Sequence, residues 1–251
     1  QTTFGFNLSG PLENVAFLKL LLVNKGGNTL EDTYISIWSD PDLGGASDDL
    51  VGCDTTLSLG YCYNATNSDN VYGSAPPAVG IDFFQGPIVP SVGDTAYVSG
   101  VAIPDFRNLP RVSFNKYLNG TDPSSAQDTY NYMQGLNRDG SQVVDPTTNE
   151  ITRFQVAGDP VARAGWRDSN PADRRMMLSS GPFTMDPWVD QNDNDTPEVG
   201  EPGVQAVVCA VVVGVGKDRL TAITAMRFND LFAQTAFDNN FVLPSAPPAP
   251  Q

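Results

Sequence analysis

Apolar side chains recur along this chain in short runs broken by turn-forming residues, a pattern of strands more than of helices. Phe4, Phe6 and Leu8 alternate with other residues and stop at a Ser-Gly-Pro turn, which predicts a short strand with one apolar face over residues 1–10. Residues 15–23 are apolar on both faces apart from Lys19, as expected of a strand buried in a sandwich. The turn Asn24-Lys25-Gly26-Gly27-Asn28 and the run 33–38 then read as the return arm of a hairpin. Further strands are expected over 95–103, 111–117, 151–156, 175–184 and 204–215. Residues 39–90, dominated by Asp, Gly, Asn, Pro and Tyr, read as long irregular loops that something must order.

One segment follows the three-and-four spacing of a helix. Over residues 218–238, Leu220, Ile223, Arg227, Phe228, Leu231 and Phe232 mark the period and four alanines support it. The expected fold class is therefore all-β: a β-sandwich, jelly-roll or Ig-like, with long Asp/Gly-rich loops and one packed C-terminal helix. It fills residues 1–243 as one domain. The tail 244–251 carries four prolines and reads as an extended linker into something that follows.

Composition narrows the chemistry. Of 251 residues, 14 are Lys or Arg and 29 are Asp or Glu, giving a net charge of −15 that repels a phosphate backbone and argues against nucleic acid. With no histidine, Ser-His-Asp triads, Cys-His dyads and His-ligated zinc are all excluded. No run of about 20 apolar residues exists, so a membrane-spanning helix is not expected. No carboxylate stands in a distinctive apolar setting, and no acid/base pair can be named. A non-catalytic protein is the expectation, with a secreted glycosidase as the weaker reading.

Five of the 29 acids are Glu and the rest Asp, a bias toward turns and cation-binding loops. Asp40, Asp42, Asp48, Asp49 and Asp54 crowd one glycine-containing stretch. Such carboxylates repel one another unless a hard cation sits among them, and calcium fits best. In a second stretch, Asp190, Asn192, Asn194 and Glu201 occupy positions 1, 3, 5 and 12 of an EF-hand loop. Position 6 is Asp195 instead of Gly, and no helical pattern flanks the loop. A calcium loop in a β-protein is the better form of that reading.

Cys53 and Cys62 are close enough in sequence to staple one loop by a disulfide, the alternative being two unpaired core cysteines; Cys209 lies within a valine-rich strand as a small hydrophobe. The aromatics Tyr61, Tyr63, Tyr72, Tyr130, Tyr132, Trp166 and Trp188 lie in or near loops. There they either stack on a glycan or fill gaps in loop packing.

Five passages resemble, together, one module of large secreted or cell-surface proteins of Bacteroidota-like bacteria, exported through the type IX secretion system. They are SDPDLGGASDDLVGCDTTLSLGYCYN, YGSAPPAVGIDFFQGPIVP, YNYMQGLNRDG, DRRMMLSSGPFTM and DRLTAITAMRFNDLFAQTAFDNNF. The resemblance spans residues 14–250. It implies export, an extracellular or cell-surface location and a place ahead of further β-modules, and it supplies no catalytic residues. Residues 189–201 are longer than the turn expected there, which makes the second calcium loop particular to this chain. The functional expectation is a calcium-stabilised structural module that self-associates into a filament or layer, by adding the strand of Phe4, Phe6 and Leu8 to a neighbour's sheet. A carbohydrate-binding adhesion module is the alternative.

Overall fold

The computed structural model describes residues 1–243; the expected linker 244–251 lies outside the described residues. The protein is mostly β, with 42% of its residues in strands, two α-helices and one of these at the C-terminal side. In chain order the elements are β1 (Thr2–Phe4), β2 (Val15–Val23), β3 (Leu30–Ser39), β4 (Asp49–Asp54), β5 (Leu59–Asn64) and β6 (Ala78–Gln85). There follow β7 (Ile88–Val98), β8 (Val101–Asn108), β9 (Arg111–Leu118), α1 (Ala126–Met133), β10 (Val143–Val144) and β11 (Ile151–Thr152). Last come β12 (Arg174–Met185), β13 (Val204–Gly214) and α2 (Arg219–Asp238).

One sheet has six strands in the order β1-β2-β13-β6-β5-β4, and a second has three, β3-β12-β9, all neighbours antiparallel. The sheets share one apolar cluster. Val51, Cys53, Cys62, Ile81, Phe83 and Val207 come from the larger, and Phe114, Met176 and Leu178 from the smaller. The other face of the larger sheet carries α2, whose Ala222, Ile223, Met226, Ala233 and Ala236 pack on Phe17, Tyr61, Ala210 and Val212. Small residues set that approach. A Cβ on Gly214 would stand 2.2 Å from the carbonyl oxygen of Ala222 and the backbone nitrogen of Met226. Asp218 caps α2, its carboxylate accepting from Leu220 and Thr221 while the Thr221 hydroxyl accepts from the Asp218 N–H.

The exposed rims are closed by chain. Phe114 of β9 exchanges bonds with the backbone of Arg153 and Gln155, and β4 is covered by Val156, Ala172 and Asp168. Segment 153–172 thus ties one sheet to the other. Asp168, with a side chain 1% exposed, is its anchor, holding Lys116 at 2.8 Å and Arg174 at 2.9 Å.

Four expectations change. The run 33–38 is part of a strand, but β2 and β3 do not form a hairpin: β2 pairs with β1 and β13, β3 with β12 in the other sheet. Asn24 explains the crossing, because its amide binds the carbonyls of Asn28 and Met185 and its backbone N–H binds Gly203. Residues 95–103 are two strands, turned at Ser99 and Gly100, both with positive φ. Residues 39–90 hold three buried strands, β4 to β6, in place of irregular loop. Within 151–156 only Ile151–Thr152 is strand.

Candidate functional site

The first acidic stretch does not gather into one centre, because β4 carries its carboxylates in different directions. Asp40 pairs with Arg175 at 2.8 Å, and the same guanidinium meets Asp173 and Asp122. Asp42 is exposed and shares with Asp40 and Asp173 a space in which three carboxylate oxygens lie within 4.8 Å of one another. Arg175 is already the cation of that group. Asp54 accepts from the N–H groups of Thr56 and Leu57 and from Arg227 on α2 at 3.1 Å. Asp49 is only 1% exposed and accepts one bond, from the Leu43 N–H; burial raises its carboxyl to about 7. Asp40, Asp42, Asp48, Asp49 and Asp54 therefore do not meet in one place: they serve four separate local structures.

Asp48 stands apart. Its Oδ2 accepts from the Asn64 amide at 2.9 Å, while its Oδ1 and the Asn64 Oδ1 are buried without a donor. Nearby, Asp69 ties loop to loop, accepting from the Gly45 N–H through one oxygen and from Val71 and Tyr72 through the other.

The second stretch is closed by hydrogen bonds within the loop itself. Asp190 accepts from the backbone of Asn192, Asn194 and Asp195, and these bonds hold its carboxyl below the usual range against a weaker opposing effect of desolvation. Glu201, at position 12 of the loop, accepts from Trp188 Nε1 at 2.9 Å, from Gln191 N at 3.0 Å and from Glu198 N at 3.1 Å. The amides of Asn192 and Asn194 both donate to Glu198, each at 3.1 Å. Asp193 and Asp195 adopt φ of 57°, so Asp195 provides the left-handed turn that glycine gives at position 6, as Asp does more readily than most residues. Five acids lie in this loop, and among the described residues no Lys or Arg forms an ion pair with any of them.

No family model matches the chain. Nor does any curated protein or solved structure. Function must be read from the residues.

Cys53 and Cys62 are free thiols, as is Cys209, so the disulfide is corrected. In the β4–β5 ladder Cys53 faces Gly60 and Cys62 faces Val51, which sets the two thiols on a diagonal in the shared core. The N-terminal strand is also corrected. Thr2, Thr3 and Phe4 pair with Lys19, Leu18 and Phe17 of the same chain, and Phe4 and Phe6 pack on Phe17, with only Leu8 left exposed. Among the loop aromatics, Tyr61, Tyr63 and Tyr132 are buried, and Trp166 packs against the shared core. They fill gaps and do not present faces to a sugar.

Sequence reasoning missed one group. Asp82 on β6 and Asp230 on α2 are each 1% exposed and lie within hydrogen-bond reach between helix and sheet. Burial raises both carboxyls, that of Asp230 to about 7. The signal was present in Ile81-Asp82-Phe83, a lone acid in an apolar run.

Proposed function

We propose that the chain is a non-catalytic extracellular structural module, a sandwich of two sheets whose loop 189–201 is locked by calcium. The observation that carries this reading is the loop's uncompensated charge. In three other places crowded acids have a guanidinium or an ammonium among them: Arg175, Arg227, or Lys116 with Arg174. Here the amide hydrogens of Asn192 and Asn194 are all that approach Glu198. Asp190, Glu198 and Glu201 lie on one short loop, and calcium takes six to eight oxygens of this kind at 2.3–2.6 Å. The cost of gathering the carboxylates has already been met by the backbone bonds.

The experiment is a calcium titration followed through Trp188, whose indole N–H sits on Glu201. Wild type should show a saturable change in tryptophan emission and a rise in melting temperature, both reversed by chelator. The double variant Asp190→Asn with Glu201→Gln should lose the emission change and the part of the melting-temperature rise that belongs to the loop. A wild-type melt indifferent to calcium overturns the reading.

Self-association remains part of the proposal but moves to another surface. Phe228, Leu231 and Phe232 on the outer side of α2 are 54%, 52% and 43% exposed, and the two phenyl rings pack at 5.0 Å. A chain of net charge −15 can approach a like-charged neighbour most easily across such an uncharged ridge. Sedimentation of wild type against Phe228→Ser with Leu231→Ser tests this: the variant should be monomeric at concentrations where wild type associates. A wild-type chain that stays monomeric at all accessible concentrations removes this part of the reading.

A further inference from the structure

We infer that a second hard divalent cation binds in the crease between residues 44–48 and residues 64–70, held by Asp48, Asn64, Asp69 and Asn70 around Gly45. The inference rests on the reading above, that this chain meets calcium, and adds a ligand set assembled from distant parts of the sequence.

Gly45 lies at the centre. A Cβ there would stand 3.1 Å from Asn70 Oδ1, 3.3 Å from Asp48 Oδ1 and 3.5 Å from Asp69 Oδ2. Three side-chain oxygens from two loops thus face one small volume that no side chain fills. Oxygens converge in this way against their mutual repulsion only when something positive lies between them.

The hydrogen bonding is incomplete in the same place. Asp48 Oδ1 has no donor and no contact with solvent, and neither has Oδ1 of Asn64, a residue 0% exposed. The Asn64 amide nitrogen binds the other oxygen of Asp48 at 2.9 Å, so the two orphan oxygens belong to one bonded pair. Buried acceptors without donors are rare, and each costs about 1–3 kcal/mol if left so. The Gly45 N–H meets Asp69 Oδ2 at 2.9 Å, and a cation in the crease satisfies Asp48 Oδ1, with Asn64 bonded to the same carboxylate. Two carboxylates and two amide oxygens supply a formal charge of −2, which a divalent ion cancels, and hard oxygen donors of this kind select calcium over softer metals. The neighbouring group of Asp40, Asp42 and Asp173 differs because Arg175 occupies it.

The fold prepares this crease. Asp69 pins it shut through three backbone N–H groups, and the Ala65 N–H binds the Asp48 carbonyl at 2.8 Å. An ion there would join the start of β4 to the end of β5 and to the loop behind them.

Gly45 offers a clean probe. Its φ of −95° is open to any residue, so Gly45→Ala keeps the backbone while placing a methyl among the oxygens. The test is terbium luminescence on the full chain, displaced by calcium. Tyr72, whose N–H binds Asp69, sensitises the crease, and Trp188 sensitises loop 189–201. With the loop disabled by Asp190→Asn and Glu201→Gln, a tyrosine-excited signal should persist, and adding Gly45→Ala or Asn70→Ala should weaken its ion at least tenfold. Loss of the tyrosine-excited signal in the loop-disabled protein overturns this inference and leaves the loop reading intact. A tyrosine-excited ion without any tryptophan-excited one in wild type supports this site and overturns the loop. If Asn70→Ala fails to fold, Gly45→Ala alone decides. An affinity unchanged by a folded Gly45→Ala means that the orphan oxygens hold water, and rejects the site.

Discussion

The two acidic stretches have nearly the same density of Asp along the chain and opposite fates in space. Between residues 40 and 54 the chain leaves β3 at Asp40, beside Arg175, and enters β4, which throws Asp49 toward the core and Asp54 toward α2. Between 190 and 201 no strand intervenes, and the backbone curls around Asp190. Carboxylates close in sequence stay together only where no extended element separates them. The first stretch is consequently part of the framework, and the second is an attachment to it.

The sharpest way to break that contrast is to cut each region once. Asp168→Asn, beside the first stretch, leaves Lys116 and Arg174 without their carboxylate and releases the Val51 N–H. It should lower unfolding free energy by about 3–5 kcal/mol, read from urea denaturation. A loss below about 1 kcal/mol would mean that segment 153–172 does not brace the sheets. Calcium supplies the next effect. At 100 times its dissociation constant an ion bound only to the folded state adds about 2.7 kcal/mol, and the share that belongs to the loop ion should be lost in the Glu201→Gln variant.

A third effect separates the regions by pH. The carboxyls of Asp49 and Asp230 are raised from 3.8 to about 7 by burial, so the folded protein binds protons that the unfolded chain releases. Their stabilisation is complete below pH 4 and is lost as pH rises toward 7, at about 1.4 kcal/mol per pH unit for each group. Asp49→Asn should remove one group's share of that slope; an unchanged slope in the variant would show that Asp49 is not the proton holder. The smallest effect belongs to the second loop: without calcium, Asp190→Asn should shift the urea midpoint less than any change above. A larger loss would make that loop framework too.

How far the sequence reaches follows the same division between local and distant order. Strands β2, β12 and β13 and helix α2 were legible because their apolar period is their own property, and Asp218 marks the helix start. The hairpin between β2 and β3 was misread because a five-residue Asn/Gly turn says that the chain bends and not which partner it meets; Asn24, bound to Met185 far along the chain, decides that. Strands β4 to β6 were hidden because Asp49, Gly52, Gly60 and Asp82 break the apolar pattern, each for a reason visible only in three dimensions. At Gly52, a side chain would strike the ring of Tyr61. Loop 190–201 was readable as a ligand set since its oxygens are local. Asn64, Asp69 and Asn70 were not, because nothing in their spacing points to Asp48.

Phe4 and Phe241 stand with ring centroids 4.9 Å apart, edge to face, and both rest on Phe17. Tension applied between residues 1 and 243 would therefore fall on a knot of phenyl rings and the short β1–β2 ladder before it reached the longer ladders of either sheet. The described chain is laced shut at one pole, so a stretched molecule would yield first there, with the two acidic loops and the braced interior still intact.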